Sequence, residues 1–210
     1  MRHSSMKLFV AAALAAALAG CGGAQEKPQV PGLETFTSAE GGFSVSVPAG
    51  WDRDGRFPYA IDDAVHGVSL NGPKGEGGAA VKIAVLRYAG TGTIEGADDY
   101  IAMVLFNPTR LDADQDPEIA PVEVAGIEGR TFAFTKFELV YLPFDPPEPK
   151  PGVIYEIRPP TRQVTMKVRY VVLPAGRGFY SLRYEAPEDM VEEYAPVFEA
   201  VVGSFKPSKG

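Results

Sequence analysis

The strongest constraint on the fold is the run "QVTMKVRYVV", Gln163 to Val172. Val164, Met166, Val168, Tyr170 and Val172 fall on one side of an extended chain, and Gln163, Thr165, Lys167 and Arg169 on the other. A period of two sustained over this length excludes a helix, whose apolar stripe repeats every 3.6 residues. After the turn "PAGRG", Tyr180, Leu182 and Tyr184 resume the alternation, so residues 163–185 predict an antiparallel hairpin. A lone hairpin is marginal in water, and this one needs further strands or helices to cover it.

Other segments supply that cover. In "GGFSVSVPAGW", Phe43, Val45 and Val47 alternate with Ser44 and Ser46, and Pro48 stops the strand. Val81, Ile83 and Val85 alternate with Lys82 and Ala84 after the glycine-rich turn "NGPKGEGG". Between Arg130 and Tyr141 the pattern changes phase: Phe132 and Phe134 share one face, then Phe137, Leu139 and Tyr141 take over, which predicts a bulge. Two segments have helical spacing instead. Ala97, Ile101, Val104 and Leu105 share a face behind the acidic Glu95, Asp98 and Asp99. Met190, Tyr194, Val197, Phe198 and Val201 form a second stripe behind Pro187, with a kink or restart expected at Pro196 and an end at Gly203. The sum is an α+β sandwich: a mostly antiparallel sheet whose buried faces are covered by the helices. Residues 34–206 are the right size for one such domain, and 207–210 read as a tail.

The first thirty residues belong to a different kind of segment. Arg2 and Lys7 precede an uncharged stretch from Leu8 to Leu18, too short to span a bilayer, and small residues follow. Leu18, Ala19, Gly20 and Cys21 resemble the lipobox of bacterial lipoproteins. The resemblance implies a signal peptide over 1–20, removed to leave Cys21 acylated at the amino end of the mature chain. Two or more acyl chains hold a membrane stably where one does so marginally. An ordinary signal peptide that leaves a cysteine near its cut is the competing reading. Gly22, where lipoproteins kept at the inner membrane tend to have aspartate, implies the outer membrane, facing the periplasm. Residues 21–33, rich in Gly, Pro and polar side chains, then read as a flexible tether.

Cys21 is the only cysteine, so lipidation leaves no disulfide framework, thiol nucleophile or cysteine metal ligand. Loss of Arg2 and Lys7 from the 20 Lys+Arg leaves 18 against 27 Asp+Glu, a formal charge of −9. That balance argues against nucleic acid as a partner and against electrostatic docking on anionic lipid.

Soft packing signatures carry a further resemblance. Gly42, Phe43, Ser44, Pro48 and Trp51 at the start, the strand Gly178 to Pro187, and the closing Phe198, Ser204 and Phe205 are similar to the PsbP-like superfamily, which includes DcrB-type lipoproteins and a Ran-binding nuclear protein. The resemblance covers about residues 36–206 and implies an α-β-α sandwich in a mostly non-catalytic, partner-binding family. It transfers no functional residue, because the matching positions are ones that pack.

The residues offer little catalytic machinery. His66 is the only histidine after the signal segment, no Gly-x-Ser-x-Gly elbow accompanies it, and no phosphate-binding glycine loop is present. A structural strand histidine and a non-enzymatic protein are the expectation, with no cofactor. The sharpest polar pattern is "DADQDPEIAPVE". Asp112, Asp114, Asp116 and Glu123 take positions 1, 3, 5 and 12 of a calcium loop, but Pro117 stands where the loop needs glycine. A solvated acidic loop is the plainer reading, and a domain that binds calcium or another small ligand is the alternative. "LPFDPPEPKPGVIYEIRPP", residues 142–160, joins two strong strands through seven prolines. Phe144, Ile154 and Tyr155 are candidate anchors for a protein partner there, the competing role being an arm that shields its own sheet edge. Trp51 reads as a packing residue at the core's edge.

Overall fold

The computed structural model describes residues 31–208 except 56, 58–64, 91–93, 116, 147 and 149–157. The lipobox residues, Asp116, Ile154 and Tyr155 lie outside the described residues. Among the described residues, two antiparallel sheets and two α-helices make up the fold. The small sheet joins β1 (Leu33–Ser38), β2 (Phe43–Pro48) and β10 (Lys206–Pro207), in the order β1-β2-β10. The large sheet contains β3 (Asp52–Asp54), β4 (Val65–Lys74), β5 (Ala80–Tyr88), β6 (Ala120–Val124), β7 (Ile127–Tyr141), β8 (Thr161–Pro174) and β9 (Phe179–Pro187). Its order is β3-β4-β5-β9-β8-β7-β6. Helix α1 spans Ala97–Leu105, and α2 spans Val191–Ser204 after a 3-10 turn at Glu188–Met190.

The predicted hairpin is the centre of the large sheet, with Val171 opposite Leu182 and Arg169 opposite Tyr184. Its strands are buried on both faces. On β5, Val81, Ile83 and Val85 join a core with β2 and α2, while Ala84, Leu86 and Tyr88 join a second core with α1. Tyr194, Val197, Phe198, Val201 and Val202 are the buried face of α2. Each such side chain contributes about 1.5–3 kcal/mol when fully buried. The helix is also tied down by polar contacts: Tyr184 Oη donates to Val191 O at 2.9 Å, and Ser46 N donates to Ser204 Oγ at 2.8 Å.

Three expectations need correction. There is no bulge between Arg130 and Tyr141, because β7 pairs with β8 in unbroken register from Arg130–Val172 to Tyr141–Thr161. The phase change has another cause: Phe132 and Phe134 lie in the α1 core, and Phe137, Leu139 and Tyr141 point to the opposite face. The irregularity of the sheet sits between Asn71 and Lys74, where Pro73 has no N–H to give to a ladder. Second, α2 runs through Pro196 as one element, so the helix does not restart there, and it extends to Ser204, one residue past Gly203. Pro196 is exposed, and the carbonyl it leaves unpaired belongs to exposed Glu192, where water serves it. Third, the sandwich is only loosely α-β-α. Sheet dominates, α1 covers part of one face, and the small sheet shares the other face with α2.

Candidate functional site

A concavity of about 980 Å³ opens between the start of α1 and the β6–β7 hairpin. Ile101, Val122, Val172 and Pro174 give it apolar walls. Gly129 is the residue the close strand packing here requires, since a Cβ would fall 2.4 Å from Val172 O and 2.6 Å from Leu173 Cδ2. The rim is acidic: Glu95, Asp98 and Asp99 come from the helix side, and Glu123 and Glu128 from the hairpin. Arg130 is the cation among them, and its guanidinium donates to Asp98, tying hairpin to helix. Glu123 and Glu128 stand directly opposite each other across the β6–β7 pair. Like charges in that relation destabilise a sheet. Asp98 and Asp99 add to the negative charge of the rim, although the first turn of α1 is a favourable place for each.

A second concavity lies farther along the same face of the sheet, where α1 no longer covers it. Lys82, Lys136, Arg183 and Glu185 line it with Asp54, Ser69 and Phe57, in about 310 Å³. Glu185 accepts from Lys136 Nζ at 2.9 Å through one oxygen and lies 3.4 Å from Arg183 through the other. Lys82 Nζ donates to Glu138 at 2.7 Å. Burial by itself would raise the Glu185 carboxyl, but Arg183, Lys136 and Lys82 outweigh it and hold the group down at about 2. Burial opposes the Arg183 charge too, and Glu185 reverses that, leaving the guanidinium more basic than usual.

Between these two concavities, under α1, the face is aromatic. Tyr88 and Phe179 stack with centroids 4.7 Å apart, Phe132 and Tyr170 at 5.1 Å, and Tyr100 from α1 packs 4.7 Å from Phe179. Tyr100 Oη shares a hydrogen bond of 3.0 Å with Ser181 Oγ. Burial, then the neighbouring Tyr100, pushes the Tyr88 phenol well above its ordinary range.

The residues singled out in the sequence are scattered. His66 lies on β4, half-buried, with Nδ1 3.1 Å from Glu40 Oε2. Asp112 is engaged structurally: Oδ1 accepts from Arg110 Nε at 3.1 Å, and Oδ2 accepts from Thr135 N at 2.9 Å. The same loop pairs with the β7 edge, Leu111 N donating to Thr135 O and Phe137 N to Thr109 O. Asp114 is exposed, and Glu123 sits on β6 at the groove rim. Among the described residues no three His, Cys, Asp or Glu side chains are grouped so as to hold a metal ion. Phe144 is exposed just beyond β7, near exposed Leu139 and Tyr141 in the sequence. Trp51 packs against the α2 core, 6.0 Å from Tyr194. Sequence reading treated Glu95, Asp98 and Asp99 only as a helix start, and the facing Glu128 went unremarked. The available signal was a pair of glutamates flanking the turn "EVAGIE" symmetrically, which a two-residue hairpin places opposite each other.

No family model and no curated protein matches the chain. Among solved structures it is similar to the cyanobacterial PsbP (CyanoP) of Synechocystis sp. PCC 6803, at 14% identity and a TM-score of 0.43, over 90% of this chain and 98% of that one. It is also similar to a protein of Bacteroides thetaiotaomicron VPI-5482, at 11% identity and a TM-score of 0.37, over 84% of this chain. The chain spans about half that protein's length, 48% of it. Likenesses this distant carry no argument about function.

Proposed function

We propose that this is a non-catalytic, lipid-anchored module of the bacterial envelope with a PsbP-like domain, and that it holds a basic segment of a protein partner in the acidic groove. The like-charge pair Glu123–Glu128 carries the reading. Two carboxylates forced opposite each other, with Glu95, Asp98 and Asp99 across the opening, leave a negative field that a lysine or arginine side chain relieves. The apolar walls give such a segment something to bury besides its charge. An extended basic segment fits better than an ion, since no three of the described carboxylates are grouped to hold a metal. The anchor is Cys21, at the outer membrane facing the periplasm. The proline-rich arm with Phe144 is a second contact in this reading.

The test is crosslinking in native membranes with the lipidated chain as bait and mass spectrometry as readout. Glu123→Lys with Glu128→Lys is expected to abolish recovery of the partner, and moderate salt to weaken it. Deleting residues 144–158 measures the arm separately. Equal recovery with the charge-reversed groove sinks the proposal. Cys21→Ser is expected to move the protein from the membrane to the soluble fraction.

A further inference from the structure

The charged concavity at the uncovered end of the sheet has no part in the groove reading. It is a costly thing to build. Burying Glu185, with Arg183 and Lys136 nearly covered beside it, gives no stability that apolar side chains of the same size would not match. Its geometry is more informative. The inner cavity adjoins an outer one of about 460 Å³, lined by Asp52, Asn71, Lys74, Glu138 and Tyr141, and the two share Asp54 and Lys82. Both volumes fall in the range of small-molecule sites.

The two cavities have opposite polarity. Around the inner one stand three cations, Lys82, Lys136 and Arg183, against Asp54 and Glu185. Around the outer one stand three carboxylates, Asp52, Asp54 and Glu138, against Lys74 and Lys82. Glu185 pins Arg183 and Lys136, so the inner donors are fixed before any ligand arrives. Each lysine ammonium has three donors. A bare anion or a bare cation engages only one end of such a lining, whereas a molecule carrying both charges engages both at once.

From this geometry we infer that the well binds a small zwitterion, of the free α-amino acid class. Its carboxylate goes to Lys82 and Lys136 with the Ser69 hydroxyl at hand, and its ammonium to the side of Asp54 and Glu138. Phe57 on the inner side and Tyr141 on the outer are the apolar surfaces available to a side chain.

The experiment is isothermal titration calorimetry on the whole mature chain at low ionic strength, with L-alanine, L-leucine, L-glutamate and L-lysine as probes. At least one is expected to give saturable heat and raise the melting temperature. The N-acetyl derivative, which lacks the ammonium, and the amide, which lacks the carboxylate, are each expected to bind about tenfold or more weakly. Lys82→Gln is expected to weaken the amino acid similarly, with exposed Glu118→Gln as the unaffected control. No heat from any of the four overturns the inference, and so does equal binding of a derivative. Should Lys82→Gln fail to fold, the comparison of derivatives on the unaltered chain decides alone.

Discussion

One face of the large sheet has two floors, laid by the same strands. Under α1, β7 presents Phe132 and Phe134, β9 presents Phe179 and Ser181, and β5 presents Leu86 and Tyr88. Farther along, the same face of the same strands presents Lys136 and Glu138, Arg183 and Glu185, and Lys82. The change is staggered across the strands: Arg183 stands level with Phe132 and Glu185 with Phe134, and β8 between them stays apolar through Val168, Met166 and Val164. A helix nine residues long covers only part of the face, and what lies beyond must tolerate water at its rim while still closing over the sheet. Aromatic side chains solve the covered half by packing. Charges solve the open half by neutralising one another, which makes that half sensitive to every partner it has.

The largest expected effect breaks the ionic half. Glu185→Ala leaves Arg183 and Lys136 buried beside each other without their carboxylate and should cost about 3–5 kcal/mol in urea unfolding. A loss below about 1 kcal/mol would mean that water reaches the pair and that the half is not closed. Acid makes the same point by titration. The Glu185 carboxyl sits at about 2 in the folded chain against an ordinary 4.5, so its contribution is complete above the ordinary value and fades as pH falls through about 2. The stability gap between the unaltered chain and Glu185→Gln should therefore narrow from pH 4.5 downward. A gap independent of pH in that window would remove the ionic account.

On the aromatic half, Tyr100→Phe keeps the ring and removes the hydroxyl that meets Ser181. The expected loss is about 1–2 kcal/mol, unchanged by acid in the same window, and a pH-dependent loss would blur the contrast between the two floors. The smallest effect lies outside both. Glu128→Gln relieves the repulsion with Glu123 and should gain a few tenths of a kcal/mol, read as a slight rise in the unfolding midpoint. A loss there would show that the pair is already satisfied.

The fold was legible where burial follows one rule along a whole strand. β8 alternates cleanly because its even positions are covered along the strand while Gln163, Thr165, Lys167 and Arg169 on the other face keep contact with water. β7 was misread because its cover changes partway: Phe132 and Phe134 face α1, and past it the even positions turn charged while apolar side chains appear on the odd ones. A change of cover and a slip of register look alike in one dimension. The ionic half was hidden for a related reason. Lys82, Lys136 and Glu185 come from three strands far apart in sequence, and each looks like an ordinary solvent-facing residue in an alternating pattern. The trace it left is Glu185 itself, between Tyr184 and Ala186 in a strand where both neighbours are buried. The acidic loop misled in the other direction. Its calcium-like spacing exists beside a loop that caps the β7 edge, with Asp112 holding Arg110 and the Thr135 amide.

Trp51 is the chain's only tryptophan, and its placement has a spectroscopic consequence. The indole lies against Gly72, where even a methyl group would fall 2.6 Å from the ring, and beside Tyr194 of α2. Its emission therefore reports whether α2 is seated on the β4 end of the sheet and nothing about the ground beneath α1. A thermal melt followed by Trp51 fluorescence and by far-ultraviolet dichroism watches the α2 layer and the whole chain separately. Coincident curves would describe one cooperative unit, and an earlier fluorescence change would describe a protein that sheds its C-terminal helix before its sheet opens.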